Sequence, residues 1–196
     1  MYTVGVTKRT TKQLVSLIVA LGVALLAFAQ HQGWLGNLAA HAQKSQPGLY
    51  AIDHFVDGDT IAVKMNGKTE SVRMIGIDTP ETHKPHTPVQ CYGPAAASYT
   101  KTLIGSQKVR LQSDPDSQDR DRYHRLLRYV YLADGRLMET ELIRGGYAFA
   151  YTQFPFSKSA EFSKDQADAQ ANSKGLWGNC KPFQEDNGRW QTENAT

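Results

Sequence analysis

Three short segments carry ionisable side chains that neither a strand nor a turn requires: Asp57-Gly58-Asp59-Thr60, Arg73 with Asp78-Thr79-Pro80-Glu81-Thr82, and Asp121-Arg122-Tyr123-His124-Arg125. Carboxylates and backbone carbonyls are hard oxygen ligands. If Asp59 and Asp78 meet, the ion they suit is Ca2+ or Mg2+. The spacing is not that of an EF-hand, and no Cys/His set suits zinc; His83 and His86, separated by Pro85, have no companion ligands. Arg73 and Arg125 offer planar guanidinium groups that pair with phosphate oxygens and meet the charge that builds on them during attack. If two acids hold a metal, Glu81 is left to orient or deprotonate a water. Together these parts fit hydrolysis of a phosphodiester better than any one of them does.

Each motif alone has a plainer explanation. Asp57 to Thr60 reads as a turn held by side-chain hydrogen bonds, and Asp78 to Glu81 as a helix cap with Pro80 at the first position. Arg73 reads as a surface ion pair on a strand and Arg125 as a solvated loop charge. Tyr129 and Tyr131 alternate on one strand, where they either stack bases or pack in the core. Only the coincidence of all the motifs favours the chemical reading.

The elements that must position these residues follow from periodicity. Tyr50 to Val56 and Thr60 to Met65 alternate as strands, Asn66-Gly67 is a two-residue hairpin turn, and the next strand runs from Ser71 to Ile77. Pro94 after Gly93 opens a helix to Ile104 with Ala96, Tyr99 and Leu103 on one face. Lys108 to Gln112 and Leu126 to Ala133 bring the strands to five. One helix between Asp134-Gly135 and Gly145-Gly146 and another over Ser159 to Ser173, stopped by Gly175, complete the order. That order suits a five-stranded barrel of the OB type, and equally an open sheet with helices on one face.

Composition narrows the class. A chain of 196 residues allows one compact domain plus extensions, and 40% hydrophobic residues exclude wholesale disorder. The formal charge of +3 is supplied by Lys8, Arg9 and Lys12, and beyond residue 29 the balance is 19 against 19. Attraction to a polyanion must therefore come from placement of charge. Residues 14–29 form an uncharged apolar run after that basic stretch, ending in the small-x-small pattern Ala27-Phe28-Ala29. A cleaved signal peptide and a retained membrane anchor both stay open, and both put the rest of the chain outside the cytoplasm. Residues 30–47 read as a linker, 48–183 as the domain, and 184–196 as a polar tail. In an oxidising compartment Cys91 and Cys180, the only cysteines, are expected to form a disulfide closing about 90 residues, worth about 4–5 kcal/mol in the chain-entropy model.

The whole domain resembles the thermonuclease family typified by staphylococcal nuclease. The resemblance rests on Val56 to Thr60, Val72 to Thr82, Tyr92-Gly93-Pro94-Ala95-Ala96, Asp121 to Arg125, Leu142 to Ala148 and Gly175-Leu176-Trp177, in order. It implies an α+β fold, a five-stranded OB-fold β-barrel with three α-helices, here preceded by the hydrophobic N-terminal helix. By position, Asp59 and Asp78 match the Ca2+-binding aspartates and Thr79 the residue that adds a backbone carbonyl. Arg73 and Arg125 match the catalytic arginines, Glu81 the proposed general base, and Asp57 an acid near the metal. Tyr151 matches one of two tyrosines that pack near bound nucleotide; the second falls near Gln153 or Phe154, so stacking differs. His124 stands where the prototype has glycine, so a tight turn must be made with a Cβ present. The resemblance implies a monomeric, Ca2+-dependent nuclease that breaks the 5′ P–O bond of DNA or RNA and leaves 3′-phosphate ends. The alternative is a non-catalytic OB-type module that binds nucleic acid.

Overall fold

The computed structural model describes residues 19–20, 48–82 and 87–195. By internal packing the chain divides into Met1–Lys44 and Ser45–Thr196. Of the first unit only Val19 and Ala20 are described, in helical conformation. The signal or anchor segment and the linker otherwise lie outside the described residues, as do His83 and His86. Among the described residues no helix is long and apolar enough to cross a membrane.

The second unit begins with β1 (Leu49–Tyr50) and β2 (Ile52–Phe55), two pieces of one strand broken at Ala51. β3 (Thr60–Met65) and β4 (Lys68–Met74) pair from Thr60 opposite Arg73 to Met65 opposite Lys68. Asn66 and Gly67 join them at φ 50° and 75°, the doubly left-handed turn that matches strand twist and that Asn-Gly enters at little cost. The strand expected to run to Ile77 stops at Met74. Gly76, at φ 72°, turns the chain, and β5 (Ile77–Asp78) pairs instead with β8 (Phe149–Ala150). Between these come α1 (Gly93–Ile104), β6 (Val109–Gln112), β7 (Leu126–Tyr131) and α2 (Met138–Arg144). After β8 follow α3 (Ser159–Ala171), a single helical turn α4 (Leu176–Asn179) that periodicity did not reveal, β9 (Phe183–Gln184) and β10 (Trp190–Gln191).

The main sheet has the order β1-β6-β7-β4-β3-β2. Its two edges are consecutive pieces of one strand, so the sheet curls round on itself, an α+β arrangement of the OB type. β4 and β7 run parallel, with Arg73 opposite Leu127, whereas the other neighbours in this sheet are antiparallel. Ile61, Val63, Val72, Leu126 and Val130 are fully or almost fully buried, and Leu142, Ile143 and Phe162 join them from the helices. Each such side chain contributes about 1.5–3 kcal/mol of hydrophobic stabilisation.

α1 buries Ala96, Thr100 and Ile104, four residues apart, with Tyr99 and Leu103 only flanking. The buried stripe is thus rotated from the one that apolarity suggested, because the Thr100 hydroxyl turns inward and donates to the Gly58 carbonyl at 2.6 Å. α2 ends against the corner before α4, where Leu176 N donates to the Gly146 carbonyl at 2.8 Å. A Cβ on Gly146 would lie 2.1 Å from the Lys174 carbonyl oxygen, so this approach of two backbones requires glycine.

The stretch from Gln184 onward, read as a polar tail, is built into the domain. β9 and β10 form a hairpin through Asn187 and Gly188, and Trp190 packs on Phe149 and edge-on to Trp177. Beyond it, Asn194 pairs with Gln90, and Cys91 N donates to the Glu193 carbonyl at 2.7 Å. The tail lacks apolar periodicity because it adds single contacts rather than a face. Cys91, just before α1, is bonded to Cys180, just after α4, with Cα atoms 6.0 Å apart.

Candidate active site

Asp59 is placed by the turn into β3. Asp59 N donates to Asp57 Oδ1 at 3.2 Å, Val56 N and Asp57 N both reach the Thr60 carbonyl, and Thr100 anchors Gly58 from α1. The side-chain hydrogen bonds of the plainer turn reading are therefore present, and they serve to aim a carboxylate. Asp59 Oδ1 accepts from the Thr60 hydroxyl at 2.9 Å and Oδ2 from Thr79 N at 3.0 Å. The last bond draws the loop after β5 against the turn before β3, sequence positions 20 apart.

Arg73 lies near the end of β4, opposite Thr60. Its guanidinium spans both acids: Nη1 pairs with Asp59 Oδ2, and Nη2 donates to Asp78 Oδ1 at 2.9 Å. Burial would lower the pKa of this guanidinium, but Asp59, Asp78 and Asp57 raise it, so it stays charged. Burial raises the Asp78 carboxyl above its ordinary value even though Arg73 pulls the other way. Asp57 is pushed up to about 7, first by burial and then by the Asp59 charge. Closely set, desolvated carboxylates of this kind gain most from a cation, and their oxygens suit a hard one. The two carboxylates therefore suit a divalent cation, to which the family resemblance adds the Thr79 carbonyl.

Arg125 approaches from the loop before β7. Asp121 Oδ2 accepts from its Nε at 2.7 Å, while Oδ1 accepts from the backbone N of both Arg125 and Tyr123 at 2.9 Å. Burial of Asp121 would raise its pKa, but these bonds leave it lowered. His124 makes the turn at φ 64°, the left-handed region that the prototype gives to glycine. With its Nε held, Arg125 extends Nη1 to the Thr60 hydroxyl at 3.4 Å, a long bond that an incoming acceptor can replace. Further ion pairs and hydrogen bonds fix this loop. Buried Arg128 holds the Asp119 carboxylate and carbonyl, and Arg120 holds Glu70 and the His124 carbonyl.

Glu81 follows Asp78 by three residues along the same loop. Its backbone N donates to Gln90 Oε1 at 2.7 Å, and its Oε1 accepts from Thr82 N at 2.9 Å. No helix begins at Pro80, so the capping reading of Asp78 to Glu81 does not hold. Tyr151 N donates to the Gly76 carbonyl at 2.8 Å, and its ring lies 5.8 Å from that of Phe154. Gln153, near the place of the second family tyrosine, donates instead to Asn187. Tyr129 is core, its hydroxyl on Asp114 at 2.6 Å.

One arginine of this site was not legible as such. Arg189, in the tail, donates from Nε to Asp78 Oδ2 at 2.8 Å and pairs with the same oxygen through Nη2 at 2.7 Å. The signal that locates it is the turn dipeptide Asn187-Gly188 between Phe183 and Trp190, here within a longer loop than that at Asn66-Gly67.

A family model described as Staphylococcal nuclease homologue matches residues 71–179. The chain is 38% identical over 173 residues to "Thermonuclease" of Staphylococcus hyicus, covering 88% of this chain and 99% of that protein. It is 36% identical over 162 residues to "Thermonuclease" of Staphylococcus intermedius, covering 82% and 94%. It is also 41% identical over 128 residues to "Endonuclease YncB" of Bacillus subtilis (strain 168), covering 64% of this chain and 60% of the relative. The matched segments carry both arginines and the loop that joins Asp78 to Glu81, and by this match the chain belongs to the staphylococcal nuclease family.

Proposed function

We propose that this chain is a metal-dependent nuclease that hydrolyses phosphodiester bonds of DNA or RNA with Ca2+ and leaves 3′-phosphate ends, acting outside the cytoplasm. The observation that carries the reading is the Arg73 fork across Asp59 and Asp78, with Arg125 joined to the same cluster through Thr60. The names of the thermonuclease and endonuclease relatives support hydrolytic cleavage of nucleic acid. The all-oxygen donor set suits Ca2+ or Mg2+, the family resemblance favours Ca2+, and the N-terminal residues together with the disulfide support an external location.

The cation, when bound, supplies Lewis-acid polarisation of a phosphodiester oxygen. The remaining chemistry belongs to side chains. The guanidinium groups of Arg73 and Arg125 meet the negative charge that grows on the phosphoryl oxygens. Asp121 restrains the Arg125 side chain at Nε, which leaves its outer nitrogens to receive those oxygens. Glu81 orients the attacking water or takes its proton. The water oxygen bonds to phosphorus as the P–O5′ bond breaks, and the leaving 5′ oxygen takes up a proton from solvent to become a hydroxyl.

Purified protein should degrade single-stranded DNA with Ca2+, stop on chelation, and lose activity in Asp59→Ala. Cleavage that survives chelation, or that persists in Asp59→Ala, would overturn the assignment.

A further inference from the structure

The two central carboxylates are already charge-balanced by the chain itself. Asp59 and Asp78 face Arg73 and Arg189, two charges against two. Each carboxylate oxygen accepts about two bonds. Asp59 Oδ2 accepts from Thr79 N and pairs with Arg73, and Asp78 Oδ2 takes both Nε and Nη2 of Arg189. Capacity remains on Asp59 Oδ1, which receives the Thr60 hydroxyl, and on Asp78 Oδ1, which receives Arg73.

The two guanidinium groups are not held alike. The Arg73 side chain is 13% exposed and bridges both acids from within the sheet. That of Arg189 is 34% exposed, touches only Asp78, and stands beside the turn of the β9–β10 hairpin. That turn is fixed in its own right: Arg189 N donates to Asn187 Oδ1 at 2.8 Å and Glu185 N to the Arg189 carbonyl at 2.9 Å. Trp190 anchors the next residue on Phe149 and Trp177. The backbone can therefore stay in place while the side chain leaves.

We propose that Arg189 is a tethered counter-ion that competes with the divalent cation for Asp78, so that the C-terminal hairpin sets the cation concentration at which the site fills. This rests on the cation site proposed above. A dication added to this balanced set leaves positive charge in excess, and Arg189 is the member that can be expelled. The hairpin thereby keeps two buried carboxylates neutralised in the absence of metal and opposes premature loading.

The test is Ca2+ titration of the full, oxidised chain by calorimetry, with no nucleic acid present, for the native protein, Arg189→Gln and Arg189→Lys. Competition predicts that Arg189→Gln lowers the Ca2+ Kd by about fivefold or more, because a like charge next to the ion is gone. Arg189→Lys, which keeps the charge, should stay within about twofold of native. A merely structural role has the opposite sign, since a loosened site binds Ca2+ more weakly. Native protein that binds Ca2+ with Arg189→Gln no tighter overturns this inference and leaves the nuclease reading standing. Absence of Ca2+ binding in all three overturns both. Denaturant midpoints recorded alongside establish that each variant is folded.

Discussion

Among single residues, Glu139 shows how burial becomes a pH dependence away from the site. It is fully buried at the start of α2, both carboxylate oxygens accept from Val130 N at 3.1 and 3.2 Å, and burial pushes its pKa from 4.5 to about 8. Between those values the unfolded chain has released the proton and the folded chain still holds it, so the unfolded state binds fewer protons. This residue therefore makes stability fall as pH rises through that window, by roughly 1.4 kcal/mol per pH unit. Glu139→Gln keeps an acceptor for Val130 without a titrating proton and should flatten the dependence. Urea midpoints at pH 5, 6.5 and 8 check this; parallel profiles for native and variant would refute it. Within the site, the meeting of Asp57, Asp59, Arg73, Asp78 and Arg125 was foreshadowed by residue types that suit a metal and a phosphate. Thr60 and Thr100 carried no such label, since a hydroxyl that aims a neighbour has the same spelling as one that faces water.

At the level of elements, the hairpins and helices were legible wherever a turn residue fixed the backbone: Asn66-Gly67 and Gly145-Gly146 both stand where the chain reverses or stops. The break at Gly76 was not, because Met74, Ile75 and Ile77 continue the apolar character of the strand across it and only the partner strand β8 decides where Ile77 and Asp78 go. That break matters for chemistry, since it carries Asp78 out of the barrel sheet and toward Asp59. The contact between the end of α2 and the corner before α4 offers a sharper test. Gly146→Ala places a Cβ against the Lys174 carbonyl at φ 71°, a left-handed position that costs about 1–3 kcal/mol before any clash is counted. Its urea midpoint should fall accordingly, whereas Gly135→Ala, at φ 89° with nothing within 4 Å of a Cβ, should lose only the backbone part. Equal losses in the two variants would show that the backbone approach contributes nothing.

On the scale of the whole molecule, the disulfide ties Cys91, which follows Glu81 and Gln90 in the chain, to Cys180, which precedes the hairpin carrying Arg189. Replacing both cysteines by serine should lower stability by about 2–5 kcal/mol, read from denaturant unfolding under non-reducing conditions. An unchanged midpoint would mean that the bond constrains nothing that folding does not already fix. The pairing was readable from a count of two cysteines, but its proximity to the site was not. That proximity depends on α4 and on the last strands, whose contacts are single and far apart in sequence.

The parallel contact of β4 with β7 has a consequence for the order of events in folding. Val72 and Leu126 must find each other across 54 positions of chain before Arg73 and Arg125 reach the same cluster. Local hairpins can form early, but this seam closes a long loop and must wait. A chain in which this seam is still open has not assembled the cluster at all.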